Sequence, residues 1–410
     1  MSLANNVDFL SRLPKLDRSN RMSSLGFGLR PGVDGPLVET ADFGSNPGGL
    51  RMFAYVPQTM QQPRALVVVL HGCGQTASSY DHGAGWSTLA KHFGFALLMP
   101  EQRVSNSANG CFNWFNPEDI ARGHGEAASI RQMIARMEKQ CGVDQRRIFI
   151  TGLSAGGAMT SVMLSTYPEV FAAGAVIAGL PFGVAGNMRE ALSGMRVSVA
   201  RSPRTLGDLV RKASPHSGPW PRLSVWHGSA DRVVHPTNAN ELVKQWLDLH
   251  HLPHVPMSEG MVDGHPRRVW WNADGETIVE SYSITDMAHG TPLGTADNDR
   301  RYGARGAFLI EAGISSSYHI AKFFGLTNWI SQSVASSRKS AAAESPSTKL
   351  LPTVSPMQAP PPAPTPDLSK VLWPLTTLQP RRKPKRDPRR RGIDVGGVIT
   401  RALTAAGLMK

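Results

Sequence analysis

The chain has 410 residues, of which 41 % are hydrophobic, so it is long enough for one large or two ordinary domains with a substantial core. The formal net charge of +13 does not indicate a nucleic-acid-binding body, because residues 334–410 carry 14 Lys/Arg against 4 Asp/Glu. Three cysteines are too few for a disulfide scaffold, and their spacing fits no zinc site.

The N-terminal segment, residues 1–36, is polar and is expected to form a loose surface extension. It contains no uninterrupted apolar stretch before its charged residues begin, so no signal peptide is expected. No apolar run in the chain approaches the roughly 20 residues of a membrane helix. These features predict a soluble, cytoplasmic protein.

Residues 37–333 are predicted to form one domain in which strands alternate with helices. An antiparallel hairpin is predicted at 37–43 and 50–57, around a Gly-rich turn. Continuous apolar runs, which are typical of strands buried on both faces of a parallel sheet, then occur at 65–72, 93–100, 146–152, 172–179, 222–228 and 277–284.

Helical periodicity is found between several of these runs, at 126–142, 155–168, 238–252 and 318–326. Strands that alternate with helices favour an α/β fold with a mostly parallel, doubly wound sheet. Residues 183–222, rich in Gly, Ser and Arg, break the alternation. They predict either a cap over a functional site or an ordinary surface insertion.

The C-terminal segment has a different composition. Residues 334–391 contain 12 prolines and end in a basic run, which predicts a disordered linker. Residues 392–410 place apolar side chains at helical spacing and predict a short amphipathic helix. The basic run and this helix together could contact an anionic surface such as a membrane, a polymer granule or nucleic acid. The alternative is a solvated extension. The sequence contains no signature of a domain that binds specific nucleic-acid sequences.

A nucleophile motif lies between two of the predicted elements. Residues 152–156, GLSAG, match the pattern G-x-S-x-G, which is weak evidence alone. Here the motif follows a predicted strand and begins a predicted helix, as a nucleophile elbow requires. Ser154 is therefore the candidate nucleophile, and the alternative is a plain Gly-rich turn.

Candidates for the base and the acid follow Ser154 along the chain, in the order Ser, Asp, His that such a fold uses. A serine hydroxyl needs a base to remove its proton, and His289 follows the last predicted strand. Asp231, the candidate acid, follows the preceding predicted strand, at 222–228. His227 is interpreted as structural, and Asp286 is too close to His289 along the chain to reach the far nitrogen of its ring.

An oxyanion hole needs two backbone N–H groups near the nucleophile. One would belong to Ala155, and the loop HGCG at 71–74 would supply the other, from Cys73 first and Gly74 next. The alternative is a glycine-rich turn without a role. No metal and no cofactor are expected.

Aromatic residues alternate in the segment CFNWFNP at 111–117. Phe112 and Trp114 are candidate substrate-binding residues, because aromatic side chains in a loop after a strand end can line an acyl or alcohol pocket. They could equally be core residues under the loop, and the sequence leaves both interpretations open.

Several segments together resemble the esterase/poly(3-hydroxybutyrate) depolymerase family of the α/β-hydrolase superfamily, which includes feruloyl and acetylxylan esterases. The resemblance covers about residues 37–330. The segments, in chain order, are LHGCGQTASSY, GCFNWFNP, GVDQRRIFITGLSAGGAMTSVMLSTYPEVFAAGAVIAG, HGSADRVVHP and MAHGTPLG. The resemblance implies an α/β-hydrolase fold with Ser154, Asp231 and His289 as a catalytic triad.

The implied activity is that of a serine esterase on poly(3-hydroxybutyrate) or short hydroxyalkanoate esters. The alternatives are a feruloyl or acetylxylan esterase and, less favoured, a non-catalytic polyester-granule-binding protein. Many members are secreted, and in them cysteines like Cys73 and Cys111 can form a disulfide that braces the oxyanion loop. The resemblance thus makes an extracellular location the alternative to a cytoplasmic one. The segment AHGTPLG departs from the family's usual G-H-x-W/P pattern.

Overall fold

The computed structural model describes residues 35–327, except residues 59, 62–63 and 198–199. The predicted extension at 1–36 falls almost wholly outside these residues. The predicted linker at 334–391 and the predicted amphipathic helix at 392–410 lie wholly outside them. The anionic partners suggested for these two segments therefore stay a prediction. Within the described residues, no helix has both the length and the apolar character needed to cross a membrane.

A ten-stranded sheet forms the centre of the described part of the chain. Its strands are β1 (Val38–Thr40), β2 (Arg51–Tyr55), β3 (Leu66–Leu70), β4 (Ala96–Glu101), β5 (Ile148–Leu153), β6 (Ala173–Ile177), β7 (Arg222–Gly228), β8 (Ser258–Val262), β9 (His265–Trp271) and β10 (Thr277–Ile284). Their order in the sheet is β1-β2-β4-β3-β5-β6-β7-β10-β9-β8.

The strands from β4 to β10 in this order are parallel, and they correspond to the six apolar runs of the sequence. β1 pairs antiparallel with β2, as the predicted hairpin requires. The predicted α/β-hydrolase fold, with a mostly parallel doubly wound sheet and an N-terminal hairpin, is therefore confirmed. A separate short pair is formed by β11 (Thr291–Leu293) and β12 (Leu309–Glu311).

Helices cover both faces of the sheet. They are α1 (Ala77–Ala84), α2 (Trp86–Phe93), α3 (Pro117–Ile120), α4 (Gly125–Cys141), α5 (Ala155–Thr166), α6 (Met188–Arg196), α7 (Pro203–Arg211), α8 (Thr237–Leu249) and α9 (Ser316–Phe323). Val67 and Val69 of β3 belong to one buried cluster with residues of α1, α2 and α9, whereas Leu66, Val68 and Leu70 belong to another with residues of α4, α5 and α8. Because successive side chains point to opposite faces, a strand covered on both sides is apolar throughout.

Several parts of the fold were not predicted from the sequence, among them the helix α3 and the short pair of β11 and β12. The hairpin of β8 and β9 adds antiparallel strands beside β10, and its turn is an Asp263-Gly264 pair with φ of 48° and 82°. Such a pair is a strong hairpin signal, but the edge strand β8 is mostly exposed and lacks an apolar run. The helices α1 and α2 were missed as well. α1 begins with a capping box at Thr76, and α2 ends at Gly94.

The segment 183–222 contains α6 and α7 and is more ordered than its composition suggests. α7 packs against α8 through buried Leu206 and Val210, and Arg211 donates to Asp248 at 2.5 Å. The segment is thus an insertion anchored on the helix that follows β7. The interpretation of it as a cap stays a prediction.

Candidate active site

Ser154 lies in a strained turn between β5 and α5. Its φ is 56° and its ψ is −118°, a combination that non-glycine residues rarely adopt. The turn is held from both sides, since the Ser154 N–H donates to the Ile177 carbonyl at 2.9 Å and the Ser154 carbonyl accepts from the Ala158 N–H at 2.8 Å. A strand that ends in such a turn presents the serine hydroxyl at the edge of the sheet, as in a nucleophile elbow.

The two glycines of the motif are required by space. A Cβ on Gly152 would lie 2.4 Å from the Gly156 carbonyl oxygen, and a Cβ on Gly156 would lie 2.4 Å from the Leu70 carbonyl oxygen. Both contacts are with backbone, which cannot move aside as a flexible side chain can. The turn therefore needs glycine on each side of Ser154, two residues away.

The structure brings the predicted nucleophile, base and acid into one hydrogen-bonded chain. Nε2 of His289 lies 2.9 Å from Oγ of Ser154, and Nδ1 of His289 lies 2.7 Å from Oδ2 of Asp231. Both His289 and Asp231 are buried, so these hydrogen bonds have little competition from water. This arrangement can remove the serine proton and stabilise the imidazolium that results.

Asp231 is held as a carboxylate. Burial raises its pKa, but the hydrogen bonds from His227 and His289 together lower it by more. The pKa of Asp231 therefore lies well below its usual range. The other oxygen of Asp231 accepts the backbone N–H groups of Val233 at 2.8 Å and Val234 at 3.0 Å. An ionised carboxylate beside Nδ1 keeps the proton of a neutral His289 on that nitrogen, so Nε2 is free to accept.

His227 contributes to the same group, which the sequence analysis did not anticipate. Its Nε2 lies 3.3 Å from Oδ2 of Asp231 and 2.8 Å from the carbonyl oxygen of Val234. An N–H on this nitrogen can therefore donate to both. No motif indicated this contact, which depends on the turn made by the loop after β7.

The loops that carry Asp231 and His289 are joined through their backbones. Ser229 N donates to the Ile284 carbonyl at 2.9 Å, and Ala230 N donates to the Met287 carbonyl at 3.1 Å. Gly228 lets them approach, because a Cβ there would lie only 2.3 Å from the Met287 oxygen. The acid and the base are thus held together by neighbouring strands, β7 and β10.

The candidate oxyanion donors differ in availability. The N–H of Gly74, the second choice from the sequence, donates to the Asn109 carbonyl at 2.8 Å. The N–H groups of Cys73 and Ala155 donate to no acceptor within the described residues. An oxyanion hole requires amides that are not already hydrogen-bonded, so Cys73 and Ala155 stay candidate donors, whereas the N–H of Gly74 is already used.

A disulfide joins this loop to the next one. Cys73 and Cys111 are bonded, with their Cα atoms 4.3 Å apart. Gly74 and Asn109 add a backbone contact between the same two loops. The position of the Cys73 amide therefore depends on the segment around Cys111.

The aromatic candidates are buried. Phe112 is 0 % exposed and its ring centroid lies 4.9 Å from that of His71. This position corrects the prediction that Phe112 binds substrate, because a side chain without exposed surface packs in the core. Trp114 is 8 % exposed and packs edge-on against Phe115. For Trp114 a role in substrate binding stays a prediction.

The structure adds one aromatic residue that no motif indicated. The ring of Phe308 packs edge-on against His289 with 5.9 Å between centroids, and it is only partly buried. Its φ is 61°, an unusual value for a bulky residue. Phe308 also accepts a hydrogen bond at its carbonyl from the Thr291 N–H at 2.8 Å, which fixes its loop close to the base.

Comparison with known proteins shows the family to which the chain belongs. A model of the family "Esterase PHB depolymerase" matches residues 51–256. "Poly(3-hydroxyalkanoate) depolymerase C" of Paucimonas lemoignei is 44 % identical over 291 residues, which cover 71 % of this chain and 70 % of that protein. The chain belongs to the esterase/PHB depolymerase family. It is a carboxylic ester hydrolase, as the members of this family with which it aligns are.

Other esterases of the family are more distant. An acetylxylan esterase of Coprinopsis cinerea is 34 % identical over 268 residues, which cover 63 % of this chain and 70 % of that one. Among solved structures, an acetyl xylan esterase from Aspergillus awamori aligns with 71 % of this chain and 100 % of its own, with a TM-score of 0.60 and 24 % identity. This last likeness supports the α/β-hydrolase fold.

Proposed function

We propose that this esterase hydrolyses poly(3-hydroxybutyrate) or short hydroxyalkanoate esters through an acyl-enzyme on Ser154. The observation that carries the catalytic part is the hydrogen-bonded chain from Ser154 through His289 to Asp231. The substrate class is supported by the 44 % identity to a relative named poly(3-hydroxyalkanoate) depolymerase C.

In the first half of the proposed reaction, Oγ of Ser154 attacks the ester carbonyl while Nε2 of His289 takes the hydroxyl proton. Asp231 stabilises the imidazolium through the 2.7 Å contact to Nδ1. The carbonyl oxygen becomes an oxyanion that accepts from the amides of Cys73 and Ala155. The intermediate then breaks its bond to the alcohol oxygen, which takes the proton from His289.

In the second half, water enters where the alcohol has left. His289 removes a proton from this water, and the resulting hydroxide attacks the acyl carbon. The second tetrahedral intermediate expels Oγ of Ser154, which regains its proton from His289. The products are one alcohol and one carboxylic acid, and no cofactor takes part.

A second substrate class is supported by the other relatives. Acetylxylan and feruloyl esterases of 31–34 % identity align with this chain, and a shared fold does not determine the substrate. By name, the first act on acetylxylan and the second on feruloyl esters. Both classes would use the same three catalytic side chains.

The catalytic part is tested by comparing the full-length protein with Ser154→Ala on p-nitrophenyl butyrate. We expect Ser154→Ala to lose at least about 10⁴-fold in kcat because the acyl-enzyme cannot form. Equal rates for the two proteins would show that Ser154 is not the nucleophile.

The substrate part is tested with the active protein on three substrates. We expect clearing of a poly(3-hydroxybutyrate) film, with slower release of ferulate and of acetate from substituted xylan. Rapid release of ferulate or acetate without film clearing would instead support the second class.

We also propose that the protein works in an oxidising compartment, which is the extracellular alternative to the cytoplasmic expectation. The disulfide between Cys73 and Cys111 supports this, because cytosolic thiol systems keep such pairs reduced. The test is alkylation of protein isolated from its native cells, followed by mass measurement. A single alkyl group without reductant, on Cys141, supports export, and three groups contradict it.

A further inference from the structure

The oxyanion loop rests on the loop that follows β4. Apart from the disulfide, the backbone N–H of Gln102 donates to Nε2 of His71 at 3.1 Å. The side-chain amide of Gln102 donates to the carbonyl of Cys111 at 3.1 Å. The start and the end of the 102–113 loop are thus both linked to residues that hold Cys73.

One buried carboxyl group ties these links together. Oε1 of Glu126 accepts from the side-chain amides of Gln102 at 2.5 Å and of Asn113 at 2.9 Å, and Oε2 accepts from the Asn113 N–H at 2.9 Å. Glu126 therefore closes the 102–113 loop by binding both of its ends. It lies in the first turn of α4, where the helix dipole favours a negative charge.

Glu126 is fixed on its other side as well. The backbone of the 45–48 segment passes so close that a Cβ on Gly48 would lie 2.5 Å from the Glu126 Cα. Gly48 N also donates to Oγ of Ser129, one turn along α4, at 2.8 Å. The first turn of α4 is therefore a rigid support from which the Glu126 side chain reaches the loop.

The burial of this carboxyl needs an explanation. Glu126 is 0 % exposed, and no cation is among its hydrogen-bond partners in the described part of the chain. Burial raises the pKa of Glu126 to about 8, although hydrogen bonds from Asn113 and Gln102 lower it. A buried acid is costly for folding, and an apolar residue would fill the same space at lower cost.

We propose that Glu126 is a positioning residue for the oxyanion hole. Through Gln102 and Asn113 it sets the position of Cys111, and through the disulfide it sets the position of the Cys73 amide. This proposal rests on the proposed function of Ser154, because it gives the Cys73 amide a role only in ester hydrolysis. Glu126 does not contact the substrate.

A displaced oxyanion donor should lower kcat and leave KM almost unchanged. An oxyanion donor acts on the charge that develops in the transition state, and losing one such donor costs roughly 10²–10³-fold in kcat. A donor that is displaced rather than removed should cost less, about 10- to 50-fold. KM should change by less than about threefold, because the ground-state carbonyl is bound weakly by this site.

The experiment compares the full-length protein with Glu126→Gln, which keeps the size of the side chain but turns an N–H₂ group towards the donors of Asn113. Steady-state kinetics on p-nitrophenyl butyrate give kcat and KM, and thermal unfolding shows that each variant is folded. Glu280→Gln is the matched control, since Glu280 is 1 % exposed and is bound by Arg267 and Ser224, on another part of the sheet.

We expect Glu126→Gln to lower kcat by 10- to 50-fold with little change in KM, and Glu280→Gln to leave kcat within twofold. If Glu126→Gln unfolds, Gln102→Leu decides, because it removes the side-chain amide that joins Glu126 to the carbonyl of Cys111 and keeps Glu126 with its two hydrogen bonds from Asn113. When both variants fold, the double variant should lose no more than about the larger single effect, since both act on one link.

Three outcomes overturn the proposal: kcat of the folded Glu126→Gln variant within twofold of the wild type, an equal loss of kcat in Glu280→Gln, or an unchanged kcat in Gln102→Leu. An inactive wild type, or a Ser154→Ala variant as active as the wild type, contradicts the proposed function itself. The two kinds of failure are therefore distinguishable in the same set of measurements.

Discussion

The two sides of the nucleophile are held in place by different means. On the side of the base, the loops after β7 and β10 are joined by backbone hydrogen bonds, because their strands are neighbours in the sheet. On the oxyanion side, the 71–74 loop is held by a disulfide and by buried side chains around Glu126. The backbone hydrogen bonds on the first side need space at Gly228 but no particular side chain to form them. The disulfide and the contacts of Glu126 each require particular side chains, and the backbone bond between Gly74 and Asn109 is added to them.

This difference has a consequence for mutations. Substitutions on the side of the base should change the chemistry and leave the loops in place. Substitutions on the oxyanion side should change the geometry of the site, and those that open a covalent link should lower stability too.

Asp231→Asn tests the side of the base. We expect kcat/KM to fall by about 10⁴-fold, because a neutral amide no longer holds the proton on Nδ1 of His289 or stabilises the imidazolium. The backbone bonds of Ser229 and Ala230 keep the two loops joined, but Tm should fall, because the hydrogen bonds that lower the pKa of Asp231 stabilise the folded state. A loss of less than tenfold would show that another acid orients His289.

Cys111→Ala tests the oxyanion side. The disulfide closes a loop with a sequence separation of 38, so its removal should lower the free energy of unfolding by roughly 3–4 kcal/mol. We expect kcat to fall as well, by about tenfold, because the Cys73 amide loses its anchor. Denaturant unfolding with and without reductant measures the change in the free energy of unfolding, and steady-state kinetics measure the change in kcat. Reductant should destabilise the wild type but not Cys111→Ala, and a wild type insensitive to reductant contradicts the interpretation.

The smallest effect concerns the pH dependence of stability. The pKa of Glu126 is raised to about 8 by burial, so the folded protein holds this proton more tightly than the unfolded chain. Its contribution to stability is full below the unfolded value and is lost as the pH rises towards 8. Between pH 5 and pH 8, Tm of the wild type should fall roughly 3–6 °C more than Tm of Glu126→Gln. Parallel pH profiles would contradict the raised pKa.

Sequence patterns predicted the centre of the fold well and its edges poorly. The six parallel strands are buried on both faces, so each is a continuous apolar run that periodicity can detect. The edge strand β8 carries no such run, and α1 was missed although Thr76 caps it. β8 faces solvent and therefore leaves a weak hydrophobic pattern, whereas α1 is mostly buried but has few large apolar side chains in its sequence ASSYDHGA. In both elements the turn or cap residues were the signals that remained.

The candidate site shows the same division. Ser154, His289 and Asp231 could be proposed from the sequence, because a nucleophile elbow and the ends of parallel strands place functional residues at one edge of a sheet. Phe112 could not be assigned, since an aromatic residue in a loop has the same sequence signal whether it lines a pocket or packs beneath it. Its complete burial decides that question.

The sequence by itself determined the class of fold and pointed to Ser154, His289 and Asp231 as candidate nucleophile, base and acid, since apolar runs and a Gly-flanked serine are local properties of the chain. Only the tertiary structure decided what surrounds them. The contact of His227 with Asp231, and the path of contacts from Glu126 through Gln102 and Cys111 to Cys73, join residues 4 and 53 positions apart along the chain. They depend on how loops fold back on one another, and local patterns do not encode that geometry.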